Sequence, residues 1–283
     1  MLMVDEQQQG SPFVRSMSTR VARRASSYAA VVDRFLAEPA AARRRAGEQE
    51  LLDSLNRNVE SLVVQYDPPS IRRNSDSLVF GHIYSSIPRS AQRIAVSPEL
   101  LAALLAAEVE YRGPLRLSRT QNRQLAEVYE RLGTAMAVLL PGHAALAFRR
   151  GGSLYRQDED SDGEDRCSLN LARSRRRAQP VWLRRFGGFL PDLLCGYGYR
   201  PYRILIWVFV QVVACTAVVR ALSTESTLSI VYDCCTNFLN PLGPGDTAGL
   251  EGAERFVFVV EAYAGTLTTS VFFALMVRRW FRT

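Results

Sequence analysis

Two apolar segments of membrane-spanning length lie in the last third of this 283-residue chain, and they constrain its fold more than any other feature. Ile204 to Leu222 holds 19 residues with one charge, Arg220, at its far end. Phe256 to Val277 holds 22 residues with one charge, Glu261. A bilayer's hydrocarbon core is about 30 Å thick and a helix rises about 1.5 Å per residue, so each segment is long enough to cross. Tyr199, Tyr202 and Trp207 suit the aromatic belt at a membrane interface.

The charges around these segments give an orientation. Arg173, Arg175, Arg176, Arg177, Arg184 and Arg185 precede the first, and Arg278, Arg279 and Arg282 follow the second. The connection, residues 223–254, carries no arginine but holds Glu225, Asp233, Asp246, Glu251 and Glu254. Basic residues stay on the cytoplasmic side, so a multi-pass protein of the cell (plasma) membrane with both termini cytoplasmic is expected. Arg173–Arg185, interleaved with Trp182, Phe186, Phe189 and Leu190, suit an interfacial segment on anionic lipid headgroups, here residues 181–203.

Whole-chain averages conceal this division. The 47% hydrophobic content is ordinary, but residues 1–200 are polar and rich in arginine. The net charge is +7, and arginine is the only basic residue besides His82 and His143. Arginine binds phosphate well, yet no recognised nucleic-acid motif accompanies the charge, so no nucleic-acid partner is expected. Neither a zinc site nor a histidine-based catalytic triad has material to work with, so no enzyme, cofactor or bound metal is expected. The cysteines (Cys167, Cys195, Cys215, Cys234 and Cys235) form no C-x-x-C pair, which argues against a disulfide framework.

Residues 1–18 read as a disordered N-terminus and residues 19–156 as a mainly helical cytosolic region. Val21, Ala25, Tyr28, Val32 and Leu36 recur at helical spacing in Ala22–Leu36. Leu51, Leu52, Leu55, Val59, Leu62 and Val63 do so in Glu48–Val64, which Pro68 and Pro69 stop. Leu78–Tyr84 resembles a short strand. Ser97 caps a helix whose first position suits Pro98, with Glu99 beside its positive end and Gly113-Pro114 as the stop. Ser118 or Thr120 caps the next, carrying Leu125, Val128, Tyr129, Leu132 and Met136. Leu132–Phe148 reads as two helices meeting at Pro141-Gly142-His143, with a membrane hairpin as the alternative. Residues 157–180, opening on Gln157-Asp-Glu-Asp-Ser-Asp-Gly-Glu-Asp-Arg166, read as a charged linker.

Between the apolar segments, Thr227–Phe238 is long enough for a short helix, and Pro241-Leu242-Gly243-Pro244-Gly245-Asp246 follows. Leu228, Ile230, Val231, Tyr232 and Phe238 would prefer burial. Irregular backbone within a membrane must be enclosed by protein or line a wet cavity, so a re-entrant unit over residues 227–246 requires oligomerisation.

Span, short helix, x-x-Gly-x-Gly-Asp, span resembles the pore module of two-helix potassium channels, over residues 200–283. The usual family filter reads Thr-Val/Leu-Gly-Tyr-Gly-Asp. The intervals from Asp246 to Arg255 and on to Gly265 also agree with simple bacterial members. Ser118-Arg-Thr-Gln, Leu125–Leu132 and Cys195-Gly-Tyr-Gly-Tyr-Arg-Pro201 resemble prokaryotic proteins that place a cytosolic region before such a tail. The resemblance implies an all-α membrane protein with transmembrane helices at 204–222 and 256–277, a re-entrant pore helix, a homotetramer, and potassium or another monovalent cation as permeant ion. It implies that Pro241 to Asp246 form the ion pathway, that Gly265 is a hinge, and that Thr266, Thr269 and Phe273 face the cavity. Gly243 and Gly245 keep the backbone freedom a carbonyl filter needs. Pro241 and Pro244 replace threonine and tyrosine, and proline has no N–H. Weakened selectivity or a non-conducting filter is therefore expected, and a membrane-anchored scaffold or signalling protein on the same hairpin is the alternative.

Overall fold

The computed structural model describes residues 11–39, 47–68, 77–87, 96–114, 116–179, 192–193, 196–197, 199, 202–222, 226–239 and 252–281. Among these the regular elements are all α-helical. The chain divides into two compact units, Met1–Gly188 and Phe189–Thr283.

The first unit opens on α1 (Pro12–Ala37). Val14, Met17, Val21, Ala25, Tyr28 and Val32, three or four residues apart, form its buried stripe. Pro12 fits the helix start, and Glu38 turns extended before Pro39, where a helix is sterically disfavoured. The expected disorder of residues 1–18 is corrected over residues 12–18: they continue the apolar stripe, with Val14 and Met17 buried. Residues 1–10 lie outside the described residues. Helix α2 (Gln49–Val63) buries Leu51, Leu55, Val59 and Leu62.

The run Leu78–Tyr84 is not a strand. It forms a turn and the short helix α3 (Gly81–Tyr84). Its polar groups are satisfied by one buried carboxylate: Phe80 N–H donates to Glu110 Oε1 at 3.1 Å and the Tyr84 hydroxyl to Glu110 Oε2 at 2.8 Å. Helix α4 (Pro98–Arg112) is buried all round from Leu100 to Glu110 and packs on α1, α2, α3 and α5, so it is the central rod of the unit. Ser97 accepts from Leu100 N–H at its start.

Helix α5 (Arg119–Met136) begins with a reciprocal capping box between Ser118 and Gln121. After the turn at 137–140, Pro141 occupies the first position of α6 (Pro141–Gln157). Helices α5 and α6 pack on each other, as do α6 and α7 (Ser161–Ala178).

The linker expected over 157–180 is corrected by α7. Asp160 accepts from Gly163 N–H at 2.9 Å, Asp162 and Glu164 stand in the first turn, and Arg175, Arg176 and Arg177 close the last. These charges complement the helix dipole at both ends. Its buried face holds one large apolar residue, Leu169, among the small residues Gly163, Cys167 and Ser174. A Cβ on Gly163 would lie 2.6 Å from the Tyr155 ring, and one on Gly151 would lie 3.3 Å from Cys167 Sγ. Close approach replaces an apolar stripe, so composition alone reads as linker.

The second unit contains α8 (Arg203–Leu222), α9 (Thr227–Leu239) and α10 (Gly252–Trp280), each packed on the other two. Helices α8 and α10 are long and apolar enough to cross a membrane, and only 11% and 17% of their apolar windows are buried. The core helix of a soluble protein would be mostly buried. Helix α10 extends beyond the expected 256–277 at both ends.

Candidate functional site

The second unit is held together where α9 wedges against both long helices. Ile230 and Cys234 of α9 form a buried cluster with Val219 of α8 and Phe258 of α10. The Asn237 side-chain amide donates to the Phe258 carbonyl oxygen and to Glu261 Oε2, each at 2.9 Å. Gln211 of α8 donates its amide to the Glu261 carbonyl oxygen at 3.3 Å. Glu261 is 1% exposed, and the Cys215 side chain of α8 also lies against its carboxylate. Isolated carboxylates are costly within apolar helices and face protein when they occur. Here Asn237 satisfies one oxygen and ties α9 to α10.

One turn deeper, Phe238 packs on Gly265. A Cβ there would meet the Phe238 ring at 3.0 Å and its carbonyl oxygen at 3.1 Å. The missing side chain thus seats the end of α9 against α10, which runs unbroken through this position.

The other residues expected to face a cavity lie along α10. Thr266 is exposed and its hydroxyl donates to the Ala262 carbonyl oxygen at 2.8 Å; Thr268 does the same to Ala264 at 2.7 Å. Thr269 is half-buried, and Phe273 is exposed with its ring edge-on to Phe272. Pro241, Leu242, Gly243, Pro244, Gly245 and Asp246 lie outside the described residues, as does most of the 181–203 segment. Within that segment, Leu193 accepts from Trp207 Nε1 at 3.1 Å and Asp192 from Arg203 at 3.3 Å, both through backbone carbonyls. Cys234 is buried and Cys235 exposed.

Asn237 is the residue that sequence reasoning missed. Its signal was a lone amide on an apolar helix close in sequence to a membrane-length helix carrying one carboxylate.

The histidines belong to the first unit. Buried His143 lies 2.7 Å from Glu48 Oε2 through Nδ1 and 2.6 Å from the Tyr28 hydroxyl through Nε2. Glu48 also accepts the Gly142 and His143 backbone N–H groups at 2.9 and 3.2 Å, covering the start of α6. Burial, with the Glu48 charge adding to it, pushes the Tyr28 hydroxyl pKa well above the ordinary tyrosine value. The network fastens α1 and α6 to the residue preceding α2, with no nucleophile exposed to a ligand. His82 lies 3.0 Å from the Ser18 hydroxyl.

No protein-family model, curated protein or solved structure matches the chain. Its functional reading rests on its own residues.

Proposed function

We propose that the chain is a channel-like integral membrane protein, an oligomer in which residues 227–246 form a re-entrant helix and loop lining a cation pathway. The packing of Phe238 on Gly265 carries this reading. Gly265 lies nine residues beyond Phe256, where the apolar stretch of α10 begins. Nine helical residues span about 14 Å, close to half of a ~30 Å hydrocarbon core. If α10 crosses the membrane, the end of α9 sits near its midplane. A cap resting on the outer surface would touch the first turns of α10 alone.

A helix entering in this sense directs its negative C-terminal end toward the centre of the assembly, which favours a cation there. Cytoplasmic termini, a tetrameric state, residues 241–246 as filter, and contact with anionic lipid belong to the same proposal. Pro241 and Pro244 favour a second reading, a non-conducting membrane anchor with the same hairpin.

Reconstituted protein tests the choice. The expected result is a monovalent-cation flux from proteoliposomes that Gly243→Ala abolishes. A well-folded oligomer without flux leaves the anchor.

A further inference from the structure

The surface of the first unit handles its arginines in two ways. Over most of α5–α7, exposed arginines are paired: Arg119 with Asp158 and Glu159, Arg123 with Glu127, Arg156 with Glu164, and Arg166 with Glu130. Around one cleft the pairing is incomplete. The cleft has a volume of about 670 Å³, and Arg112, Arg149, Arg150 and Arg175 line it together with Gln49 and Asn56. These residues come from α2, α4, α6 and α7, so the cleft is a product of the tertiary fold. Arg149 and Arg175 are exposed, and neither is paired with a carboxylate among the described residues.

The other two arginines are fixed in place. Glu108, fully buried, accepts from Arg112 Nε at 2.8 Å and from Arg150 Nε and Nη2 at 3.2 and 3.4 Å. The Arg150 guanidinium stacks on the Tyr111 ring at 4.3 Å, and Arg112 Nη2 donates to Asn56 Oδ1 at 2.7 Å. The bonds that fix them run through Nε and Nη2 and through Asn56 Oδ1, and among the described residues neither Nη1 nor the Asn56 amide nitrogen makes a further hydrogen bond. One carboxylate thus serves two of four guanidinium groups, leaving an excess of positive charge facing one concavity. Like charges held this way repel one another, and the repulsion is relieved by a bound anion. Planar guanidinium forks match phosphate oxygens bidentately. The volume falls within the ordinary range for small-molecule sites, and the lining is more polar than most.

We propose that this cleft binds a small anion carrying at least two phosphate groups. Arg112 and Arg150 form its preorganised floor, and Arg149 and Arg175 close on the anion from α6 and α7. The phosphates come either from a free polyphosphate compound or from anionic lipid headgroups. The site lies wholly within the first unit and does not depend on the pore reading.

Calorimetric titration of inorganic triphosphate into the full chain, held in nanodiscs of phosphatidylcholine, tests it. The expected result is saturable one-to-one binding, weakened on the order of tenfold or more by Arg149→Gln combined with Arg175→Gln. Arg123→Gln, which removes a paired arginine outside the cleft, leaves binding unchanged. Thermal unfolding confirms that the double variant remains folded; if it does not, the two single variants replace it, each expected to weaken binding severalfold. Displacement of triphosphate by bis(glycerophospho)glycerol, a soluble lipid headgroup with two phosphates, assigns the site to lipid, and absence of displacement assigns it to a free polyphosphate. No saturable triphosphate binding to the wild type, or binding that the cleft substitutions leave untouched, overturns the proposal.

Discussion

The two units treat apolar side chains in opposite ways. In the first, Val31, Val64 and Val138 are the large apolar residues left exposed among those described, and a continuous core runs from Val14 to Cys167. In the second, exposed residues extend from Leu193 to Phe281, and the buried cluster is small. A soluble protein rarely exposes a contiguous apolar surface on that scale. The first unit completes its own packing. The second has built only the contacts that position α9, and leaves large apolar side chains exposed along both long helices.

Val213 sits near the middle of α8 and is 50% exposed. Were this unit in water, Val213→Arg would change stability by under about 0.5 kcal/mol, as surface substitutions do. In a bilayer it costs about 3 kcal/mol of insertion free energy. A glycosylation-based insertion assay should report the larger value.

Glu108 provides the converse test in the first unit. Glu108→Gln removes the carboxylate shared by Arg112, Arg150 and the Tyr129 hydroxyl. Both arginines retain some access to water, so the loss should be about 2–3 kcal/mol, below the range for fully enclosed pairs. Denaturant unfolding followed by circular dichroism should register it.

Gly163→Ala is expected to cost about 1–2 kcal/mol, because the new methyl group meets the Tyr155 ring. A cost near zero would mean that α7 is not pressed against α6.

The smallest effect concerns Cys167. Burial, with the Glu130 charge adding to it, pushes its thiol from 9.0 up to about 12. The unfolded chain therefore loses this proton at lower pH than the folded one. The associated stability is complete below pH 9 and declines as pH rises toward 12. Native Cys167 should resist maleimide at pH 8 while exposed Cys235 reacts in detergent.

Much of this division was legible in the chain. The caps at Ser97 and Ser118, the break before Pro141 and the two membrane-length helices follow from local rules of spacing, capping and length. The failures share a cause. Helix α7 hides because Leu169 is the one large apolar side chain on a buried face otherwise made of Gly163, Cys167 and Ser174, and its charges serve the helix ends. Leu78–Tyr84 looks like a strand until Glu110, distant in sequence, accepts hydrogen bonds from Phe80 and Tyr84. Asn237–Glu261 and Glu48–His143 are likewise long-range pairings that no local pattern encodes. The arginine cleft needs four helices before it exists. What the sequence could not supply was which polar groups meet.

The depth of α9 separates a re-entrant helix from one lying outside the membrane. Cys235 is exposed, near the end of α9 that meets Gly265, and accepts a fluorophore once the other cysteines are replaced. In proteoliposomes, lipids brominated midway along their acyl chains should quench it strongly, and aqueous iodide should not. Quenching by iodide with little effect of brominated lipid would place α9 outside the hydrocarbon core and contradict the re-entrant reading.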